Sequence, residues 1–190
     1  NIIKIKSVLT KKLLGFLEDE AKKDVEKYNK FWKEFGISLK QGVSVDFEHR
    51  DKLAELLRYN SSYLNTADEL TSLKDYVSRM NEDQKEIYFI SGESREAIER
   101  NPNLEVFKKN DIEVLYFFDP ADDFIISALG TYKEKAIKSI DQADLGSIDK
   151  KEEKSKEENK EDIQKVEKFV EYAKDFLKDK VKEVRKSNRL

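Results

Sequence analysis

The 190-residue chain has no cysteine, one histidine, one tryptophan and only two prolines. Without cysteine there is no disulfide, no thiol nucleophile and no thiolate-bound metal, and the composition suits a reducing compartment, with the cytoplasm as the expected location. The single histidine, His49, leaves a zinc site or a Ser-His-Asp triad without its usual ligands or base. Its place in a charged stretch predicts a solvent-facing ring. No apolar run approaches the roughly 20 residues that cross a bilayer, and Asn1 to Thr10 lacks the apolar core and small-residue cleavage site of a signal peptide, so no membrane partner is expected. An excess of one charge is missing too. Thirty-seven basic and 40 acidic residues leave a net charge of −3, which provides no basic field for nucleic acid. No calcium-loop spacing with its central glycine occurs, so no metal is expected.

What is present is charge of both signs, 41% of the chain against 38% hydrophobic residues, which predicts a large solvated surface or an extended arm. Apolar Ile2, Ile3 and Ile5 begin at once without a capping segment, and the chain stops at Leu190 straight after a Val184/Lys186/Asn188 alternation. Both ends therefore read as cuts from a longer protein.

Helical spacing runs through Ile5, Val8 or Leu9, Leu13, Phe16 and Leu17, and again through Val25, Tyr28, Trp32 and Phe35 to Gly36, read as a helix stop. Tyr28, Phe31, Trp32 and Phe35 have the spacing of a core face. A third helix is predicted from Asp46, whose carboxylate can cap the following amides, with Leu53, Leu56 and Leu57 inward. These helices form a leading segment over residues 1–58.

Thr71 is read as the cap of a short helix bearing Leu73, Tyr76, Val77 and Met80. Ile87–Ile90 reads as a buried strand ended by Gly92. A helix over Ser94–Arg100, a break at Pro102, a second short helix and a strand over Glu113–Phe118 give a strand, crossover, parallel-strand pattern. Pro120 permits a helix whose apolar side is Phe124, Ile125, Ala128 and Leu129. Gly130 ends it before a strand at Lys135–Ile140. The fold class is therefore α/β: a helical lead, then over 59–148 a small three-layer α/β/α unit with a short, mostly parallel sheet. From Asp149 to Asp162 every residue but Ser155 and Asn159 is charged, which reads as a solvated linker and a domain boundary. Over 163–190, Ile163, Val166, Val170, Ala173, Leu177 and Val181 form one seam of a long helix that needs a partner surface.

One feature resembles enzyme chemistry. The turn Ile90-Ser91-Gly92-Glu93-Ser94 leaves a strand and opens a helix, where exposed amides can hold a phosphate. It has a single glycine, no phosphate-loop lysine and an acid at Glu93, so a plain strand-to-helix connection is the competing reading.

Several strings are similar to those of the heat-shock protein 90 chaperones: Glu26-Lys27-Tyr28, Phe31-Trp32, Phe35-Gly36, Lys52-Leu53, Leu56-Leu57-Arg58-Tyr59 and Ser61-Ser62. The most specific blocks run from Thr71 to Met80 and from Gln84 to Ser94, followed by Glu113-Val114-Leu115-Tyr116, Asp119-Pro120 and Lys138-Ser139. The likeness resumes at Val181, Val184, Arg185 and Arg189-Leu190, so it touches most of the chain. Phe31-Trp32, the moderate linker and the lack of a long acidic insertion resemble the bacterial branch.

The resemblance implies an ATP-dependent chaperone built from an amino-terminal ATPase domain that uses ATP and Mg, a middle domain and a carboxy-terminal dimerisation domain. This chain would be the middle piece with the start of the last domain. The family arginine that reaches the γ-phosphate would lie just upstream of Asn1, so no catalytic or cofactor-binding residue is carried over. Expected partners are unfolded or partly folded clients, the protein's own flanking domains and co-chaperones. The helix from Ala121 matches the family's client-facing helix, which makes Asp122, Asp123, Phe124 and Ser127 the candidate client-binding residues. Ala121 stands where the family usually has Ile, and Asp122-Asp123 where it has Asp-Glu. Phe124 as a core residue remains the competing reading. Two other functions compete with the chaperone segment: a stand-alone nucleotide- or phosphate-binding module using Ser91 to Ser94, and a scaffold using the helix after Ile163.

Overall fold

Two apolar runs, Ile87–Ile90 and Val114–Phe117, are buried on both sides, so their sheet must be covered on both faces. The computed structural model describes residues 2–143 and Ile148. Among them the order is α1 (Ile2–Lys23), α2 (Val25–Val45), α3 (Arg50–Leu56), β1 (Asn60–Ser61), α4 (Leu73–Arg79), β2 (Glu86–Ser91), α5 (Arg95–Glu99), α6 (Pro102–Lys109), β3 (Val114–Phe117), α7 (Ala121–Leu129), β4 (Thr131–Tyr132) and β5 (Lys135–Ser139). A 3-10 turn follows at Ile140–Gln142. The α/β class with leading helices matches the sequence reading. The charged stretch 149–162 and the helix predicted over 163–190 lie outside the described residues.

The strands are ordered β1-β3-β2-β5-β4. The inner three are parallel, with Tyr88 opposite Val114 and Ile87 opposite Ile137. The two-residue edge strands β1 and β4 are antiparallel to their neighbours. Alternation divides the sheet between two cores. Ile87, Phe89, Leu115 and Phe117 join the leading helices around Leu14, Leu17, Tyr28, Trp32, Val43, Leu53 and Leu56. Tyr88, Ile90, Val114 and Tyr116 join Ile98, Leu104 and Phe107 on the other face. The helical lead is thus itself an outer layer of the three.

Local chemistry explains where boundaries differ from the sequence reading. Helix α2 does not stop at Gly36 but continues to Val45. Gly36 is there because a Cβ would lie 2.8 Å from Trp32 Cε2. Asp46 closes α2 rather than opening α3: its amide bonds Gly42 O, and its Oδ1 accepts from His49 N at 3.2 Å. The cap of α4 is Ser72, not Thr71. Ser72 Oγ accepts from Asp75 N at 3.0 Å, while Thr71 is held in a bridge with Tyr59.

Two burial expectations are overturned. His49 is only 6% exposed, with Nδ1 2.9 Å from Asp46 Oδ2 and Nε2 buried without a hydrogen bond, because the α2–α3 turn folds the ring inward. On α1 the inward residues are Leu14 and Leu17, whereas Ile5, Val8, Leu9, Leu13 and Phe16 face away from the core. Of the aromatic face on α2, Tyr28 and Trp32 are buried, and exposed Phe35 stacks on Phe31 at 5.2 Å.

Candidate functional site

Helix α7 is set by its ends. Asp119 Oδ1 accepts from Ala121 N at 2.9 Å, and the Asp119 carbonyl accepts from Asp122 N at 2.8 Å, so the first turn starts after Pro120. Asp122 and Asp123 lie in that first turn, at the positive end of the helix dipole. Gly130 ends the helix in the left-handed region at φ +69°, its amide donating to Ile126 O at 2.8 Å.

The four candidate residues divide between two sides of this helix. Phe124 is 70% exposed, and Asp123 and Ser127 share its outer side. Ser127 Oγ donates to Asp123 O at 2.6 Å. Asp122 instead is 2% exposed and lies beneath the helix, on the side that packs against α2. The apolar side read from the sequence is corrected accordingly: Ile125 and Ile126 are buried, and Phe124 is outside.

Lys40 of α2 faces Asp122. Its Nζ lies 2.6 Å from Asp122 Oδ1, with both side chains largely buried; the contact is an ion pair whose angles fall outside an aligned hydrogen bond. The same ammonium lies 5.9 Å from the Trp32 ring centroid and 5.7 Å from that of Tyr59, within cation–π reach. Burial pushes the Asp122 carboxyl above its ordinary pKa, and Lys40 opposes that rise. Burial, then the Asp122 charge, holds the Tyr59 phenol well above its usual value. No local pattern in the sequence marks this pair, because its members sit on helices distant along the chain.

The Ser91–Ser94 turn is occupied by its own structure. The Gly92 amide donates to Phe117 O at 3.0 Å, Ser94 Oγ accepts from Ala97 N at 3.2 Å, and Ser91 Oγ donates to Asp123 Oδ1. A Cβ at Gly92 would lie 2.7 Å from Ile98 Cγ1, so close packing accounts for the glycine. A phosphate here would meet the Asp123 carboxylate.

An open groove of about 300 Å³ between α1, α3, α4 and the β4–β5 turn is lined by Glu18, Lys22, Asp51, Lys52, Glu55, Lys74 and Lys133. Lys22 bonds Glu18 at 2.6 Å and Lys133 lies 3.6 Å from Glu55, so its charges largely answer one another. Among the described residues no group of His, Cys, Asp and Glu could hold a metal ion, and no helix is long and apolar enough to cross a membrane.

Comparison with known proteins gives the family. The family described as Hsp90 protein matches residues 1–190. The chain is 42% identical over 191 residues to the chaperone protein HtpG of Desulfotalea psychrophila, and 43% identical over 189 residues to that of Desulfitobacterium hafniense. It is 40% identical over 191 residues to the HtpG of Coxiella burnetii. In each case 100% of this chain aligns with 30% of the relative, so the chain spans about 30% of the length of the relatives it matches. With the family matched from end to end, the chain belongs to the heat-shock protein 90 family, of bacterial type.

Proposed function

We propose that the chain is the middle segment of an ATP-dependent chaperone and that it engages partly folded client proteins through the outer side of α7. Phe124 is the anchor, Asp123 and Ser127 are its polar neighbours, and Asp122 serves from beneath by holding the helix. Exposure of Phe124 is the observation that carries this reading: an aromatic ring beside short polar groups buries apolar client surface at low entropic cost. The relatives' name, chaperone, supports the same class.

In this reading ATP and Mg belong to an amino-terminal domain, dimerisation belongs to a carboxy-terminal one, and the working protein is cytoplasmic and served by co-chaperones. Residues 1–58 act as the helical segment and 59–148 as the α/β/α subdomain of the middle domain, 149–162 as a linker and 163–190 as the start of the dimerisation domain. The chain itself neither binds nor hydrolyses nucleotide, a reading supported by the bonded Gly92 amide and by Asp123 at the only phosphate-like turn recognised in the sequence.

The test is Phe124→Ala, with binding to reduced, carboxymethylated lactalbumin followed by fluorescence anisotropy. Affinity should drop about 5- to 30-fold, the equivalent of about 1–2 kcal/mol for one such anchor. Retained affinity would refute Phe124 as the client contact.

A further inference from the structure

Helix α7 does not bury the face that its own sequence makes most apolar. At about 100° per residue, Phe124, Ala128, Ala121, Ile125 and Leu129 fall on one continuous arc without a polar group. The buried side instead centres on Asp122, Ile125 and Ile126, rotated from that arc by about 80° on the same wheel. Hydrophobic burial alone favours rolling the helix to bury Phe124 and expose Ile126. The element opposing the roll is Lys40, whose ammonium sits near the Trp32 and Tyr59 rings and pairs with Asp122.

We propose that the Lys40–Asp122 ion pair is a rotational latch, which holds α7 away from the orientation its apolar pattern favours and so keeps Phe124 in solvent. A buried ion pair adds little net stability relative to apolar residues of similar volume, but leaving either charge unpaired is costly, so it fixes an orientation more than it stabilises one. Asp123, bonded to Ser91, is a second tie on the same turn. The role of the latch in client binding rests on the Phe124 reading; its effect on the helix does not. Lys40 and Asp122 are positioning residues, and neither needs to touch a client.

The chain has no cysteine, so a single Ala121→Cys substitution places one reporter thiol on α7, at a residue exposed now and central to the buried arc after a roll. Iodoacetamide labelling is compared in the parent and in Lys40→Met/Asp122→Asn. The latch predicts labelling slowed at least ~10-fold by burial. Without the reporter, affinity for carboxymethylated lactalbumin should fall ~10-fold. Lys40→Arg, which keeps the pair, should stay near the parent in both assays. A merely structural pair predicts the opposite sign, faster labelling as the helix loosens, and unchanged or faster labelling overturns the latch. If the double variant does not fold, Asp122→Asn alone decides by the same sign. If Phe124→Ala binds client like the parent while labelling still slows, the Phe124 reading fails and the latch stands. If Phe124→Ala weakens binding while labelling does not slow, the latch alone fails.

Discussion

The Ser91 hydroxyl donates a hydrogen bond of 2.5 Å to Asp123 Oδ1, tying the end of β2 to the first turn of α7. This bond joins the one phosphate-like turn in the sequence to the helix proposed to meet clients, and it places a carboxylate where a phosphate would need a cation.

Isothermal calorimetry of the chain with ATP and Mg should therefore show no saturable binding at micromolar nucleotide. Saturable binding abolished by altering Gly92 would revive the phosphate-turn function.

Gly92→Ala should lower stability by about 1–3 kcal/mol through overpacking, since the new Cβ would lie 2.7 Å from Ile98 Cγ1. Ile98→Val in the same chain should recover part of the loss, a coupling that chemical denaturation measures directly. A neutral Gly92→Ala would show that the contact relaxes freely.

Phe124→Ala should leave the melting temperature almost unchanged, because surface substitutions usually fall within about 0.5 kcal/mol, whereas a core phenylalanine cut to alanine loses about 3–5 kcal/mol. Thermal melts alone distinguish the two.

Two aspartates should move acid stability in opposite directions. Burial raises the folded pKa of Asp122, so its contribution to stability is gained as pH falls through that raised value and is complete below the unfolded one. Asp122→Asn should lack this gain, and the stability difference between parent and variant should widen in the parent's favour on acidification. The hydrogen bond from His49 lowers the pKa of Asp46, whose contribution is present above the unfolded pKa and is lost as pH falls through the folded one. In His49→Ala the Asp46 carboxyl, followed by NMR, should return toward its ordinary value, and loss of the buried ring should cost about 1–3 kcal/mol. An unmoved Asp46 would mean that the bond does not persist in solution.

Legibility followed the range of the interaction that decides each feature. The runs Ile87–Ile90 and Val114–Phe117 could be read as strands because burial on both faces leaves an unbroken apolar signature. Ser94, Pro102 and Gly130 marked helix ends because caps act within a few residues. Gly36 misled because a glycine that admits the Trp32 ring is indistinguishable in sequence from one that ends a helix. The charged neighbours of His49 point to an exposed ring because nothing local reveals its bond to Asp46, which depends on the α2–α3 turn. Phe124 falls on the apolar side by periodicity yet lies outside, and periodicity cannot register that Asp122 on the buried side meets Lys40 of another helix.

The parallel pairing of β2 with β5, and of Lys40 with Asp122, also orders events in time. Phe89 waits for Ser139, and Lys40 for a helix near the end of the described residues. Contacts so distant in sequence form late, because the intervening chain must close before they stabilise anything. On the ribosome α1 and α2 emerge long before α7, and a nascent chain ending before α7 carries Lys40 without Asp122, its partner in the finished body. The surface that presents Phe124 is thus among the last parts of this body to be completed, and a half-made molecule cannot yet hold the clients that its finished form is proposed to hold.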